Sequence, residues 1–148
     1  MAVGLIEKEE GFRSCAYDDL APNKILKPGD RVKGTLTIGF GRTGAGLEIG
    51  DCVDEASERK WLASKVQALM QEVERRAARA MTPTQVVGWT SAAYNLGPRV
   101  FGYKAFKAFQ MGDDLSACYF LLSANLAGGK PILAGRRKRE TEQICPQR

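Results

Sequence analysis

Apolar positions Val3, Leu5 and Ile6, set among charged residues, predict a short helix over Ala2–Phe12 that Gly11 ends at its C-cap position. From residue 15 to residue 41 the period changes. "AYDD" leads into the turn-rich "LAPNKILKPGDRVKG", broken by Pro22, Pro28, Gly29 and Asp30, and then into the alternating "TLTIGFG". In a strand, Leu36, Ile38 and Phe40 share one face and Thr35, Thr37 and Gly39 the other. The apolar face should meet the core, which turns Thr37 outward into a groove.

Trp61, Leu62, Val66, Leu69, Met70 and Val73 recur at three- and four-residue intervals, predicting one amphipathic helix over about 55–80. Arg75, Arg76 and Arg79 near its end read as dipole complements on a wet face. Thr82-Pro83-Thr84-Gln85 combines an N-cap, a first-turn proline and a capping-box glutamine. The helix it starts carries Val86, Val87, Trp89, Ala93 and Tyr94 and stops at "NLGP". Shorter periodic segments follow near 103–111, 114–125 and 136–145, separated by Gly112-Asp113 and by "AGGKP". No internal repeat is visible. The prediction is one α+β, mostly helical domain over 1–148. A small N-terminal lobe (13–54) holds a β-hairpin, a long helix (55–80) follows it, and an all-helical lobe (82–148) includes the N-terminal helix.

A chain of 148 residues suits one such domain. No apolar run approaches the roughly 18 residues that span a bilayer, and Met1–Ile6 is too short for a signal-peptide core. The helical pattern starts so abruptly at "AVGLIEKEEG" that a trimmed export or anchor segment is one reading of it. The net charge of +5 favours polyanionic partners without choosing among them, and a solvated surface with a modest positive excess is the plainer alternative.

Histidine is absent. That removes the usual zinc hydrolases and the Ser–His and Cys–His hydrolases, so an enzyme here would move protons with carboxylates. Cys15, Cys52, Cys118 and Cys145 lack C-x-x-C spacing, which argues against a zinc or redox site. Buried thiols and disulfides both remain open. Cys118 and Cys145, each in a helix-like C-terminal segment, are the pair to test first in an oxidising compartment.

Glu10 falls in the last turn of the first helix, where the helix dipole opposes a carboxylate, and Asp19 lies past the turn after it. A glycosidase needs one carboxylic acid to protonate the leaving oxygen and a second carboxylate to activate water or steady positive charge. Spacing alone does not separate this pair from solvated surface acids. The order of three features does more: Glu-Gly, then Ala-Tyr-x-Asp, then Thr-Ile-Gly-Phe-Gly.

In that order the sequence resembles the phage-type lysozymes, the muramidase endolysins of glycoside hydrolase family 24. "AYNLG" at 93–97, "GDDLSAC" at 112–118, "AGGK" at 127–130 and "RRKRETEQIC" extend the resemblance over nearly the whole chain. It implies a two-lobed lysozyme-like fold with its cleft between the lobes. It also implies hydrolysis of the β-1,4 bond between N-acetylmuramic acid and N-acetylglucosamine of peptidoglycan, releasing phage progeny. Glu10 matches the general acid, Asp19 the second carboxylate, and Thr37 the threonine that orients water; Asp18 falls one place short of the pattern. Tyr17, Asn95 and Arg137 match substrate-binding positions, although Asn95 is also an ordinary helix-ending residue. Of Arg136 and Arg137, the resemblance sets one against the helix that carries Glu10; a basic, solvated last helix is the other reading.

No metal or cofactor is implied. The partner is peptidoglycan and not nucleic acid, for which the dispersed Lys and Arg carry no readout motif. The chain is expected as a monomer that waits in the host cytoplasm and acts on periplasmic peptidoglycan.

Two departures stand out. Seventeen residues separate Asp19 from Thr37 where the family has a few, so 20–34 reads as an insertion. It forms either a longer hairpin or a rim whose Lys24, Lys27, Arg31 and Lys33 meet acidic parts of the substrate. Arg42 stands where the family commonly has His and is expected in a structural ion pair. The rival functions are a lytic transglycosylase on the same bond and a non-catalytic wall-binding module.

Overall fold

The computed structural model describes residues 1–127 and 129–146. Its elements are α1 (Ala2–Glu10), β1 (Arg13–Asp18), β2 (Leu36–Gly39), α2 (Glu55–Ala77), α3 (Pro83–Leu96), α4 (Lys104–Gln110), α5 (Asp114–Leu122) and α6 (Ala134–Ile144). A 3₁₀ turn at Pro98–Gly102, not anticipated from the sequence, precedes α4. Packing divides the chain into two units, Ile6–Ser64 and Met1–Leu5 with Lys65–Arg148, and α2 begins in the first and continues in the second. The mostly helical α+β class is the predicted one. The "AGGK" match includes Gly128, which lies outside the described residues.

In the first unit, α1 ends where Gly11 takes φ +66° and donates its N–H to Glu7 O at 2.9 Å. β1 and β2 pair antiparallel, with Tyr17 opposite Thr37 and an irregular register between Arg13 and Tyr17. Residues 51–53 lie along the other edge of β1, through Ala16 N–H to Asp51 O (2.9 Å) and Val53 N–H to Ser14 O (2.7 Å). The Cys15–Cys52 disulfide closes that edge. Ile6, Ile38 and Leu62 are fully buried in this unit, and the Phe12 and Phe40 rings meet at 5.2 Å.

The sequence prediction for β2 needs two corrections. The strand stops at Gly39, not at Gly41, because Gly39 (φ +65°) and Gly41 (φ +78°) turn the backbone so that Ile38 and Arg42 exchange hydrogen bonds. Ile38 and Phe40 do face the core, but Thr37 is only 5% exposed, so the strand is enclosed on both faces. The 20–34 insertion forms successive turns and adds no strand to the hairpin.

The second unit is built round α3, whose residues 85–93 are all buried. Trp89 packs edge-on against Phe106 (5.0 Å) and tilted against Phe109 (5.4 Å). Gly88 allows α3 to approach α6, since a Cβ there would stand 2.7 Å from Glu140 O. The capping box at Thr82 forms as the sequence indicates, with Gln85 N–H to Thr82 Oγ1 (3.2 Å) and Thr82 N–H to Gln85 Oε1 (3.0 Å).

Helix α2 ends at Ala77, three residues early, where Ala78 takes φ +53°. Arg75 and Arg76 pair with Glu72 on the helix surface. Arg79 does not share their wet face: it lies 4.3 Å over Phe109, donates to Phe109 O (2.9 Å) and pairs with Asp114 (2.6 Å). The Cys118–Cys145 disulfide expected from the sequence joins α5 to the end of α6. Cys15–Cys52 was missed, although these are the two cysteines left once the C-terminal pair is closed.

Candidate active site

Glu10, Tyr17, Asp19 and Thr37 all belong to the first unit. Glu10 is the last residue of α1 and partly exposed. Its carboxylate lies against the backbone of Gly41, where an added Cβ would stand 2.6 Å from Oε2. The second glycine of "GFG" therefore brings the turn after β2 up to the acid, which a side chain would prevent.

The neighbouring aspartates have different surroundings. Asp18 is 1% exposed and accepts N–H bonds from Lys33 (2.7 Å), Gly34 (3.0 Å) and Leu20 (3.0 Å). These backbone donors, Lys33 first, hold its carboxyl below the usual aspartate range despite burial. Asp19 is exposed and oriented through Thr35, whose N–H it receives on Oδ1 at 2.7 Å. The Thr37 hydroxyl donates to the carbonyl of the same Thr35 at 3.0 Å. Thr35 thus ties the second carboxylate to the hydroxyl, a role the sequence reading did not give it. Gly34 completes the arrangement, because a Cβ there would collide with Asp19 Oδ1.

Tyr17 senses both acids. Burial raises its phenol above the ordinary value, the Arg13 guanidinium opposes that, and the charges of Glu10 and Asp19 add to it. Arg13 lies 4.4 Å over the Tyr17 ring. The ion pair expected of Arg42 has Glu58 as its partner, with Nε to Oε2 at 3.1 Å and Nη2 to Oε1 at 2.8 Å. Gly39 gives this pair its room, since a Cβ there would strike the Glu58 carboxylate.

Asn95 and Arg137 lie in the second unit and meet each other, Arg137 Nη2 donating to Asn95 Oδ1 at 2.7 Å. Arg136 and Arg137 are 5% and 0% exposed, which overturns the reading of a solvated last helix. Both pair with the fully buried Glu140, at 3.0 and 2.9 Å, and Ser91 Oγ donates to it at 2.7 Å. Burial pushes the Glu140 carboxyl upward, opposed by Arg137, Ser91 and Arg136. Of the predicted substrate contacts in this unit, Asn95 is partly exposed and Arg137 is fully buried, so Arg137 does not itself face solvent. The first unit therefore holds a helix-end carboxyl, an exposed and oriented carboxylate, and a hydroxyl anchored on the same Thr35 as that carboxylate, groups suited to protonating a leaving oxygen and directing water.

A family model described as phage lysozyme matches residues 7–142. Among curated proteins, none matches the chain. Solved structures share its fold. An endolysin from Escherichia coli O157:H7 phage FAHEc1 is 19% identical, with a TM-score of 0.76 over 98% of this chain and 90% of that one. The muramidase domain of SpmX from Asticaccaulis excentricus is 21% identical, with a TM-score of 0.76 over 99% and 95%. The active form of the P1 phage endolysin Lyz is 21% identical, with a TM-score of 0.72 over 97% and 83%.

Proposed function

From the premise that this chain belongs to the phage lysozyme family and is a glycoside hydrolase of bacterial peptidoglycan, we propose that Glu10, Asp19 and Thr37 carry its chemistry. Glu10 protonates the glycosidic oxygen between N-acetylmuramic acid and N-acetylglucosamine. Asp19 and Thr37 direct a water molecule to the opposite face of the ring. A carboxyl separation of roughly 6.5–9.5 Å would leave room for that water and invert the anomeric centre, whereas one of about 5 Å would favour a covalent route. The observation that carries this assignment is the shared anchorage on Thr35, whose N–H donates to Asp19 Oδ1 and whose carbonyl accepts the Thr37 hydroxyl.

Tyr17 and Asn95 are substrate contacts in this reading, and Arg137 is a positioning residue that fixes Asn95. The enzyme works as a monomer without nucleic acid, held in the host cytoplasm until lysis gives it access to periplasmic peptidoglycan. Two disulfides fit a working life in an oxidising compartment. Among the described residues no helix is long and apolar enough to cross a membrane.

The test is loss of turbidity in outer-membrane-stripped Gram-negative cells, with wild type compared to Glu10→Gln, both confirmed folded. Removing a general acid should slow clearing at least about a hundredfold. Equal clearing by the two proteins would remove Glu10 from the mechanism. The products should carry a free reducing end; an anhydro sugar would instead identify a transglycosylase, in which a sugar hydroxyl replaces water.

A further inference from the structure

The second unit carries an apolar surface that the proposed hydrolysis does not use. Helix α5 is apolar or aromatic throughout, apart from Asp114 and Ser116. Ala117, Cys118 and Leu121 enter the core. Leu115, Tyr119 and Leu122, spaced i, i+4 and i+7, form a second face and are 81%, 71% and 41% exposed. A helix apolar all round belongs in a buried setting, so this second face calls for a cover.

The surface extends beyond the helix. A turn over residues 125–133 is closed by Ala127 N–H to Lys130 O (2.9 Å) and by Leu133 N–H to Asn125 O (3.0 Å). Leu126 and Ile132 are both exposed on it. The Cys118–Cys145 disulfide fixes α5 to the end of α6. Between them Leu122, Asn125, Ala134 and Lys138 line a groove of about 570 Å³.

Charge chooses the partner. From Leu115 to Arg139 the sequence has the cations Lys130, Arg136, Arg137, Lys138 and Arg139 and no Asp or Glu. Arg136 and Arg137 turn inward to Glu140, while Lys130, Lys138 and Arg139 are exposed. Of the neighbouring acids, Asp113 caps α5 through the Ser116 N–H (3.1 Å) and Asp114 pairs with Arg79 (2.6 Å). Glu142 lines the groove with Lys138 and is outnumbered by the exposed cations. A second copy of this chain would set those cations against one another. Glycan offers hydroxyls, not hydrocarbon, to Leu115, Leu122 and Ile132. An anionic bilayer suits both features: acyl chains take up the apolar side chains, an aromatic ring such as Tyr119 sits at headgroup level, and marginal lysines reach phosphate.

We propose that this face of the second unit, α5 with the 125–133 turn, docks reversibly on an anionic phospholipid surface. The inference goes beyond the hydrolase reading and does not depend on it, since Glu10, Asp19 and Thr37 all lie in the first unit. Binding of this kind grows with the apolar area inserted and with the cations near the headgroups, and it weakens as salt screens them.

Vesicle sedimentation tests it, with vesicles of equal parts phosphatidylglycerol and phosphatidylethanolamine set against vesicles of phosphatidylcholine alone. Wild type should bind the anionic vesicles at least about tenfold more strongly, since each lysine near such a surface is worth roughly fivefold. High salt should erase that advantage. Leu115→Gln combined with Tyr119→Gln, both at exposed positions, should bind about tenfold more weakly at an unchanged melting temperature. Lys130→Gln combined with Lys138→Gln should remove most of the preference for anionic lipid. Both double variants should keep whatever glycan cleavage wild type shows. Binding to neither vesicle overturns the proposal and leaves the face to a protein partner. Equal binding to both vesicles, or undiminished binding by the Leu115 and Tyr119 variant, also overturns it. Analytical ultracentrifugation supplies the remaining outcome: a wild-type dimer that the Leu115 and Tyr119 variant dissolves would assign the face to a second copy and overturn lipid docking.

Discussion

At the scale of single residues, the glycines of "GTLTIGFG" explain themselves through acids. A Cβ on Gly34, Gly39 or Gly41 would strike the carboxylate of Asp19, Glu58 or Glu10 respectively. Gly41 offers the sharpest test, because it combines a positive φ of +78° with contact to the proposed general acid. Gly41→Ala should lose about 1 kcal/mol from the backbone alone. It should also lose activity of about a hundredfold, the penalty of moving a reacting group by an ångström. Gly46 has a similar φ of +87° but open space around its Cβ position, so Gly46→Ala isolates the backbone cost. Similar melting temperatures with activity lost only in Gly41→Ala are expected from calorimetry and clearing assays. Equal activity in the two would mean that Glu10 does not depend on Gly41.

At the scale of elements, Asp18 organises the turn-rich segment between β1 and β2 by accepting three backbone N–H groups. Those bonds lower its folded pKa below the ordinary aspartate value of 3.8, and the unfolded chain returns to that value. A depressed carboxyl contributes stability that is whole above the unfolded value and is lost as pH falls through the folded one. Unfolding followed from pH 5 down to pH 2 should therefore show an acid limb that Asp18→Asn shortens. Amide exchange across 20–34 should quicken in the variant at neutral pH. An unchanged acid limb would place the loop's anchor elsewhere.

What could be read from the sequence follows the same division. Starts of elements were legible where a side chain makes the start, as with Thr82 and Gln85, because capping is local chemistry. The early ends of α2 at Ala77 and of β2 at Gly39 were not, since the local pattern runs on past the positive φ of Ala78 and Gly39. The order Glu10, Tyr17, Asp19, Thr37 was legible as a pattern. The anchoring of Asp19 on Thr35 was not, because it joins residues sixteen apart that only the pairing of β1 with β2 brings together. The Arg42 ion pair could be foreseen but its partner Glu58 could not, sixteen residues away and in another element. Cys15–Cys52 escaped for the same reason.

At the scale of the whole molecule, the covalent links divide as the packing does, with Cys15–Cys52 in the first unit and Cys118–Cys145 in the second. Sequence separations of 37 and 27 residues give each link a similar effect on the unfolded chain, about 3–4 kcal/mol apiece by loop closure. Their effects on function should differ. Cys118–Cys145 ties α5 to the end of α6, elements that carry none of Glu10, Asp19 or Thr37. Cys15 lies in β1, the strand that carries Tyr17 and leads directly into Asp19, and its partner fixes that strand's outer edge. Removing both sulfurs of Cys118–Cys145 by serine should lower the melting temperature and keep clearing activity below it. Removing those of Cys15–Cys52 should lower the melting temperature by a similar amount and depress activity well below the melt, because the edge of β1 away from β2 then keeps only the Ala16–Asp51 and Val53–Ser14 hydrogen bonds to residues 51–53. Thermal unfolding and clearing rates of the two double variants, with and without reductant, measure this. If both variants clear cells alike at low temperature, those two backbone bonds and the pairing with β2 suffice to hold β1, and the first disulfide serves stability only.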